Sequence, residues 1–372
     1  MHKNKTEHIP SSHRLLRPVI EHCKEHPSSF LTRTAIRHPK VFRHVIPELF
    51  QTAYANQQRH VSEASKTCCA CSVCDDDYIP GLIIFMESLL RHNPWFNLPY
   101  VIFSDSDKEL QPKHKDLLLK IYPHFIFSNL DETYSPIKRK NKNNLRHARF
   151  TQTYLGLSAF NLSEFDRVLY LDTDLLCLGN IQTILEETKS ADFVGVYDRQ
   201  RDHTARKYFE TQNQNRSFKT VSSEDFDHNI NTGIYVINKR LLTDRVFKDL
   251  FDYAEHGIRS TNDPEGDPEV IHRHLSKQKS LGDQEVINYY LSQQKGLKIA
   301  YAPLCYNTST RLCKSRISSR KILQEKPLIL HFLGDKPWFK ELNTRGPWWW
   351  IRKLWIKHAY TYLTLVRNGQ LS

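Results

Sequence analysis

Nowhere in the chain do about 18 uncharged apolar residues follow one another, the length a membrane-crossing helix requires, so no transmembrane helix is expected. The opening stretch, MHKNKTEHIPSSHRLLRPVIEHCKEH, is basic but lacks the uninterrupted apolar core of a secretory signal. Without an export route the expected location is the cytoplasm, and the cysteines are expected to be thiols. No segment repeats another. Acids are outnumbered, 41 Asp and Glu against 53 Lys and Arg, giving a formal net charge of +12. That balance favours a polyanionic partner, whether nucleic acid, an anionic membrane or a phosphorylated substrate, and does not choose among them.

Half of the eight cysteines crowd into CCACSVC, at Cys68, Cys69, Cys71 and Cys74. The C-x-x-C spacing invites zinc. No second Cys/His cluster of matching spacing follows, however, and Cys305 and Cys313 stand alone. The segment reads instead as a strand of small residues, whose alternate side chains point to opposite faces.

What is present is an alternation of elements. TCCACSV, YVIFSD, FIFS, RVLYLD, ADFVGVYD, NTGIYVIN and LKIAYAP read as strands, and PLILHFLGDKPW as a strand running into a loop. DDDYIPGLIIFMESLLRHNP reads as a loop followed by a helix, and PKHKDLLLKIY, RFTQTYLGLSAFNL and DQEVINYYLSQQ read as helices. Strands alternating with helices predict an α/β protein built on a mainly parallel, Rossmann-like sheet flanked by helices. Residues 1–65 are polar and basic, with short helical patterns interrupted by proline and histidine, and form a helical N-terminal extension. Residues 66–340 form the main domain, and 341–372 a C-terminal tail. The polar run from Arg199 to His228 is long for a connection and suggests a substrate-facing excursion or lid.

In such sheets ligands bind beyond the carboxyl ends of the strands. RVLYLD ends there in Asp172 and Asp174, two carboxylates at i and i+2 on extended backbone, which point the same way and repel unless a cation joins them. Acid pairs also cap loops or simply face water. At the mouth of a buried strand the metal reading gains weight, and hard oxygen ligands suit Mg²⁺ or Mn²⁺. HFLGDKPW adds His331, whose neutral imidazole tips the choice toward Mn²⁺. In the same stretch Gly334 permits a sharp turn and Lys336 offers a mobile charge for phosphate. His331 as a core histidine and Lys336 as surface charge are the plain alternatives.

FDRVLYLDTDLLCLGNI, NINTGIYVINKRLL, GDQEVIN and HFLGDKPW occur in the order and spacing that resemble glycosyltransferase family 8. This is the retaining, nucleotide-sugar-dependent family of glycogenin and the bacterial lipopolysaccharide galactosyl- and glucosyltransferases. The resemblance implies a GT-A fold, a UDP-sugar donor and a metal bound by Asp172, Asp174 and His331. It implies that Lys336 and the backbone of Gly334 meet the diphosphate and that Asp172 also approaches the ribose. Asp75 and Tyr78 would hold the uridine, and Asn231, Asp283 and Gln284 would surround the transferred sugar. Three positions depart from the family pattern. Leu155-Gly156 stands where a helix cation is usual, with Arg149 as a substitute; His331 and Lys336 are one residue closer than common; and Ile230 replaces an aromatic.

The tail, GPWWWIRKLWIKHAYTYLTLVRN, places Trp348, Ile351, Trp355, Ala359, Tyr362 and Val366 on one helical stripe beside Arg352, Lys353, Lys357 and Arg367. That pattern predicts an interfacial helix on an anionic bilayer, with a last core helix as the plain alternative. The expected activity is hexosyl transfer from a UDP-hexose to a saccharide or lipid-linked acceptor at the inner face of the membrane, with no nucleic acid partner. A self- or protein-glycosylating transferase, and an inactive relative that binds membrane or nucleic acid, are the competing readings.

Overall fold

Short apolar runs of β-branched, aromatic and small residues pair into one sheet in the computed structural model. The model describes residues 39–105, 108–130, 133–135, 152–198, 217–227, 229–256, 282–312, 322–334, 336–338 and 348–370. Strands β1 (Cys68–Val73), β2 (Tyr100–Ser104), β3 (Phe125–Asn129) and β4 (Arg167–Leu171) are all parallel, in the order β3-β2-β1-β4. After β5 (Leu175–Cys177) leaves this sheet, β6 (Phe193–Tyr197), β7 (Lys219–Ser222), β8 (Ile230–Asn238) and β9 (Lys298–Ala302) extend it as β4-β8-β6-β9-β7. Only β8 and β7 run against the rest. The expected mainly parallel sheet flanked by helices is therefore what forms. Its centre is buried on both faces, which explains the unbroken apolar strands. Tyr170 of β4 stacks on Tyr235 of β8 at 4.6 Å, and Phe193 of β6 lies 5.4 Å from Tyr235.

A second, three-stranded sheet orders as β10 (Thr308–Ser309), β11 (Ile329–His331) and β5, with β11 parallel to β10 and antiparallel to β5. It pins a late segment of the chain against the residues just after β4.

Among the described residues, six helices of ten or more residues flank the sheets: α1 (Pro39–Ala53), α2 (Ile79–His92), α3 (Pro112–Ile121), α4 (Asp244–His256), α5 (Asp283–Gln293) and α6 (Trp348–Arg367). Helix α2 is buried from Ile79 through Leu90. A helix apolar all round needs cover on every side, and here α1 and α6 lie against it and against each other. The interruption expected at Pro47 does not occur, for α1 runs straight through it. Burial of Val45, Ile46, Leu49 and Phe50 offsets an internal proline's cost of about 3 kcal/mol. Behind α1, the buried carboxylate of Glu87 accepts hydrogen bonds from the Tyr54 hydroxyl (2.6 Å) and the Arg59 guanidinium (2.9 Å).

The C-terminal stripe is used inside the protein. Trp355, Ala359, Tyr362 and Val366 are buried, and Trp355 lies 5.2 Å from the ring of Trp338. These four of the residues expected to face a bilayer instead face the core, because α2 needs an apolar cover, while the side chains of Trp348 and Ile351 lie outside those described; Lys353 and Lys357 are left exposed. No helix among the described residues is long and apolar enough to cross a membrane. Cys69, Cys71, Cys74, Cys177 and Cys305 are buried and Cys68 is half-buried, and none of them is in a disulfide. Cys313, Arg149 and most of the polar run 199–228 lie outside the described residues.

Candidate active site

Strands β1 and β4 are neighbours, and from β1 the chain turns outward to β2 on the other side. Such a reversal opens a crevice at the carboxyl ends of the strands. Asp75 and Tyr78 follow β1 there, and Asp172 and Asp174 follow β4. The amino end of β8 arrives beside them, with the amide of Asp172 donating to the carbonyl of Gly233 at 2.9 Å. These elements line a cavity of about 370 Å³ whose walls include Asp75, Tyr78, Asp172, Asp174, Asn231, Asp283, Gln284, His331 and Lys336. All the residues singled out from the sequence except Gly334 thus share one cavity. Gly334 takes φ +88°, a left-handed turn that suits glycine and leads the chain on toward Lys336.

The acid pair does not converge through extended backbone, as its spacing suggested. Strand β4 ends at Leu171, and Asp172, Thr173 and Asp174 form a turn before β5 begins at Leu175. The turn gathers the carboxylates and β11 delivers the imidazole, for His331 is the cross-strand partner of Leu175. One ligand atom from each of Asp172, Asp174 and His331 lies within 4.8 Å of the others. His331 Nε2 is 3.1 Å from Asp174 Oδ1 and 3.3 Å from Asp172 Oδ2. The ring also sits directly on Gly233, where a Cβ would stand 2.2 Å from Cε1. Glycine is needed there for the close approach.

Two buried atoms at this point, Asp174 Oδ1 and His331 Nε2, face each other at 3.1 Å as a charge contact but make no aligned hydrogen bond with any group. Leaving such atoms unsatisfied is costly. Together with Asp172 they offer oxygen, oxygen and nitrogen, a donor set that fits Mn²⁺ or Mg²⁺. Among the described residues this is the one group of three or more His, Cys, Asp or Glu side chains that fits an ion.

Charge in the site is balanced within the protein. Burial disfavours the Asp174 carboxylate, but Lys336 and then His331 override it and hold the group well below the usual carboxylate range. Lys336 Nζ bonds both Asp174 Oδ2 and the carbonyl of Phe332. Burial likewise pushes the His331 imidazole toward neutrality, and the Asp174 charge, helped by Asp172, reverses this and raises it to about 9. Asp283 opens helix α5 and accepts the Thr232 hydroxyl at 3.1 Å. Loss of water, then the charges of Asp172 and Glu285, raise its carboxyl to about 7.

Tyr78 meets Trp338 edge-on at 6.0 Å, and Trp338 donates to the carbonyl of Asp77 at 3.1 Å. Asp75 accepts from Lys108 Nζ at 3.3 Å, and burial raises its carboxyl against that pairing. The turn at Leu155-Gly156 brings no cation. It packs on Tyr170, whose hydroxyl would lie 3.1 Å from a Cβ at Gly156 and donates to Asp172 Oδ1 at 3.2 Å. Ile230 fits over Gly195, whose missing Cβ leaves the room. Lys108, Gln152, Thr232 and Asn307 belong to the site or its support and were not read from sequence. Isolated polar residues carry no periodic signal, and only the fold brings them together.

Among solved structures, the galactosyltransferase LgtC in complex with donor and acceptor sugar analogs is similar at 17% identity and a TM-score of 0.48, over 78% of this chain and 95% of that one. The glycosyltransferase GlyE of Streptococcus pneumoniae TIGR4 is similar at 18% identity and 0.47, over 82% and 63%. The bifunctional WbbM apo structure is similar at 15% and 0.47, over 83% and 52%, so the chain spans about half the length of WbbM. A search of curated protein sequences finds no match. The model of glycosyl transferase family 8 matches residues 69–341, a span that holds every residue of the site, and the chain belongs to that family.

Proposed function

We propose that the protein transfers a hexose, galactose or glucose, from a UDP-sugar to a saccharide on a lipid-linked or lipopolysaccharide acceptor, with retention and with Mn²⁺ as the metal. The observation that carries this reading is the trio Asp172, Asp174 and His331, gathered within 4.8 Å in a cavity shared with Asp75 and Tyr78 on one side and Asn231, Asp283 and Gln284 on the other.

The ion, when bound, supplies a Lewis acid for the diphosphate leaving group. Asp172, Asp174 and His331 would hold it. Lys336, paired with Asp174 at the cavity wall, would add positive charge where negative charge develops on the diphosphate. Asp75 and Tyr78 seat the uridine, with Lys108 beside them. The amides of Asn231 and Gln284 orient the sugar, and Asp283, held near neutrality, meets a hydroxyl close to the anomeric carbon. Work at the cytoplasmic face of the membrane follows from the acceptor, with Lys353 and Lys357 as the exposed charges of α6.

The test is slow donor hydrolysis across a panel of UDP-sugars, with Mn²⁺, with Mg²⁺ and with chelator. Turnover of UDP-galactose or UDP-glucose that disappears in chelator and in Asp174→Ala is expected. Wild-type turnover in either condition rejects the mechanism. A mass increase of the protein itself points to self-glycosylation, and absence of metal-dependent UDP binding points to an inactive binding protein.

A further inference from the structure

One nitrogen of His331 faces the two aspartates. The other, Nδ1, donates to Oδ1 of Asn307 at 2.8 Å. Asn307 is buried and is fixed in its own orientation, since its Nδ2 donates to Oδ1 of Asn231 at 2.7 Å. That oxygen also accepts the amide of Gly233 at 3.0 Å, so it cannot be the amide's NH₂ end. The Nδ2 of Asn231 then donates to Gln284 Oε1 at 3.2 Å, and Gln284 Nε2 donates to Asp198 Oδ2 at 3.1 Å. Every donor in this chain points the same way, from His331 to a buried carboxylate. Reversing one amide sets acceptor against acceptor at its neighbour, so the members are held as a set.

We infer that Asn307 is the positioning residue of the metal site: by accepting the Nδ1–H of His331 it turns Nε2 toward the two aspartates, and it ties that orientation to the amides of Asn231 and Gln284. This rests on the metal reading above and adds to it a residue outside the cavity. Its place in the fold supports the role. Asn307 ends the short turn Leu304–Tyr306 and leads into β10, whose Ser309 pairs with His331 on β11. The strand that aligns His331 also brings its hydrogen-bond acceptor. Partners of this kind orient a ligating histidine, and their loss typically costs about 10–100-fold in metal affinity.

The test is Mn²⁺ binding to the nucleotide-free protein, followed by electron paramagnetic resonance, in the wild type, Asn307→Leu and Asn307→Asp. Asp restores an acceptor for Nδ1–H but has no donor for Asn231. Expected are a 10–100-fold weaker Mn²⁺ affinity for Leu, an affinity within about threefold of wild type for Asp, and in Asp a raised KM for the sugar donor from the broken link to Asn231. Wild-type affinity in the Leu variant overturns the inference while leaving the metal site intact; no Mn²⁺ binding in the wild type removes both. Should the Leu variant fail to fold, ¹⁵N-histidine spectra of the wild type with Mg²⁺ decide. A protonated Nδ1 on His331 supports the assignment, and a protonated Nε2 sinks it.

Discussion

The imidazole of His331 rests on Gly233 so closely that a methyl group there would stand 2.2 Å from Cε1 and 2.4 Å from Nδ1. Both partners are backbone-anchored, one in β11 and one in β8, so neither yields easily. Gly233→Ala is expected to destabilise the protein by about 1–3 kcal/mol through overpacking. It is also expected to weaken Mn²⁺ binding by at least about tenfold, as the ring is pushed off the aspartates. Urea denaturation and metal titration measure the two effects, and an alanine variant with normal affinity would show that the ring has room to move.

Asp174 is shared by Lys336 and His331, which makes its charge the centre of the site. Asp174→Asn removes that charge with little change in shape. Mn²⁺ binding is expected to vanish, turnover to fall by about 10²–10³, and the pKa of His331 to drop from about 9 toward its ordinary value. Histidine titration by NMR checks the last point on the folded variant. An unchanged titration would mean that Asp172 alone sets it.

The pH dependence of metal binding has a definite sign. Without metal, His331 titrates at about 9, against about 6.5 in an unfolded chain, so the folded state holds this proton more tightly. The resulting stabilisation is complete below about pH 6.5 and is lost as pH rises through about 9. A cation must displace the same proton. Between those limits Mn²⁺ binding is expected to release about one proton and to tighten about tenfold per pH unit, levelling off above 9. Calorimetry in buffers of different ionisation heat counts the proton, and a pH-independent affinity across this window contradicts the assignment.

Glu87 is buried in α2 between Tyr54 and Arg59, at the seam where α1 leads into the sheet. Arg59→Met leaves its carboxylate without the guanidinium and is expected to cost about 3–5 kcal/mol. Replacing both residues, Arg59→Met with Glu87→Leu, is expected to recover most of the loss. Denaturation curves of the two variants provide the comparison. Metal affinity of the folded protein stays unchanged in both, because the pair lies outside the cavity.

The central strands were legible because burial on both faces leaves unbroken apolar runs, as in RVLYLD and NTGIYVIN. Strands β5 and β10 escaped notice at three and two residues, too short for any period. Strand β7 has exposed Lys219 and Thr220 at the sheet edge and reads as a polar loop. The helical spacing at Tyr154, Leu157 and Phe160 turned out to be a 3₁₀ turn, Thr153–Asn161, packed from Tyr154 to Phe160 and so without a polar face to set a period. In α6 the amphipathic stripe was real, yet period alone does not say whether lipid or protein covers it. The acid pair and His331 were readable as chemistry. Asn307, a single amide in YNTST, was not, since its meaning comes entirely from the ring it touches.

The small sheet β10-β11-β5 joins parts of the chain that are made far apart in time. Lys336 follows Asp174 by 162 positions, so the aspartates leave the ribosome long before the imidazole and ammonium that complete them. Contacts of such sequence separation carry the loop-closure cost that slows folding. A fragment cut short of β11 would carry the two acids with neither the imidazole nor the ammonium opposite them, leaving the negative charge of the site uncompensated.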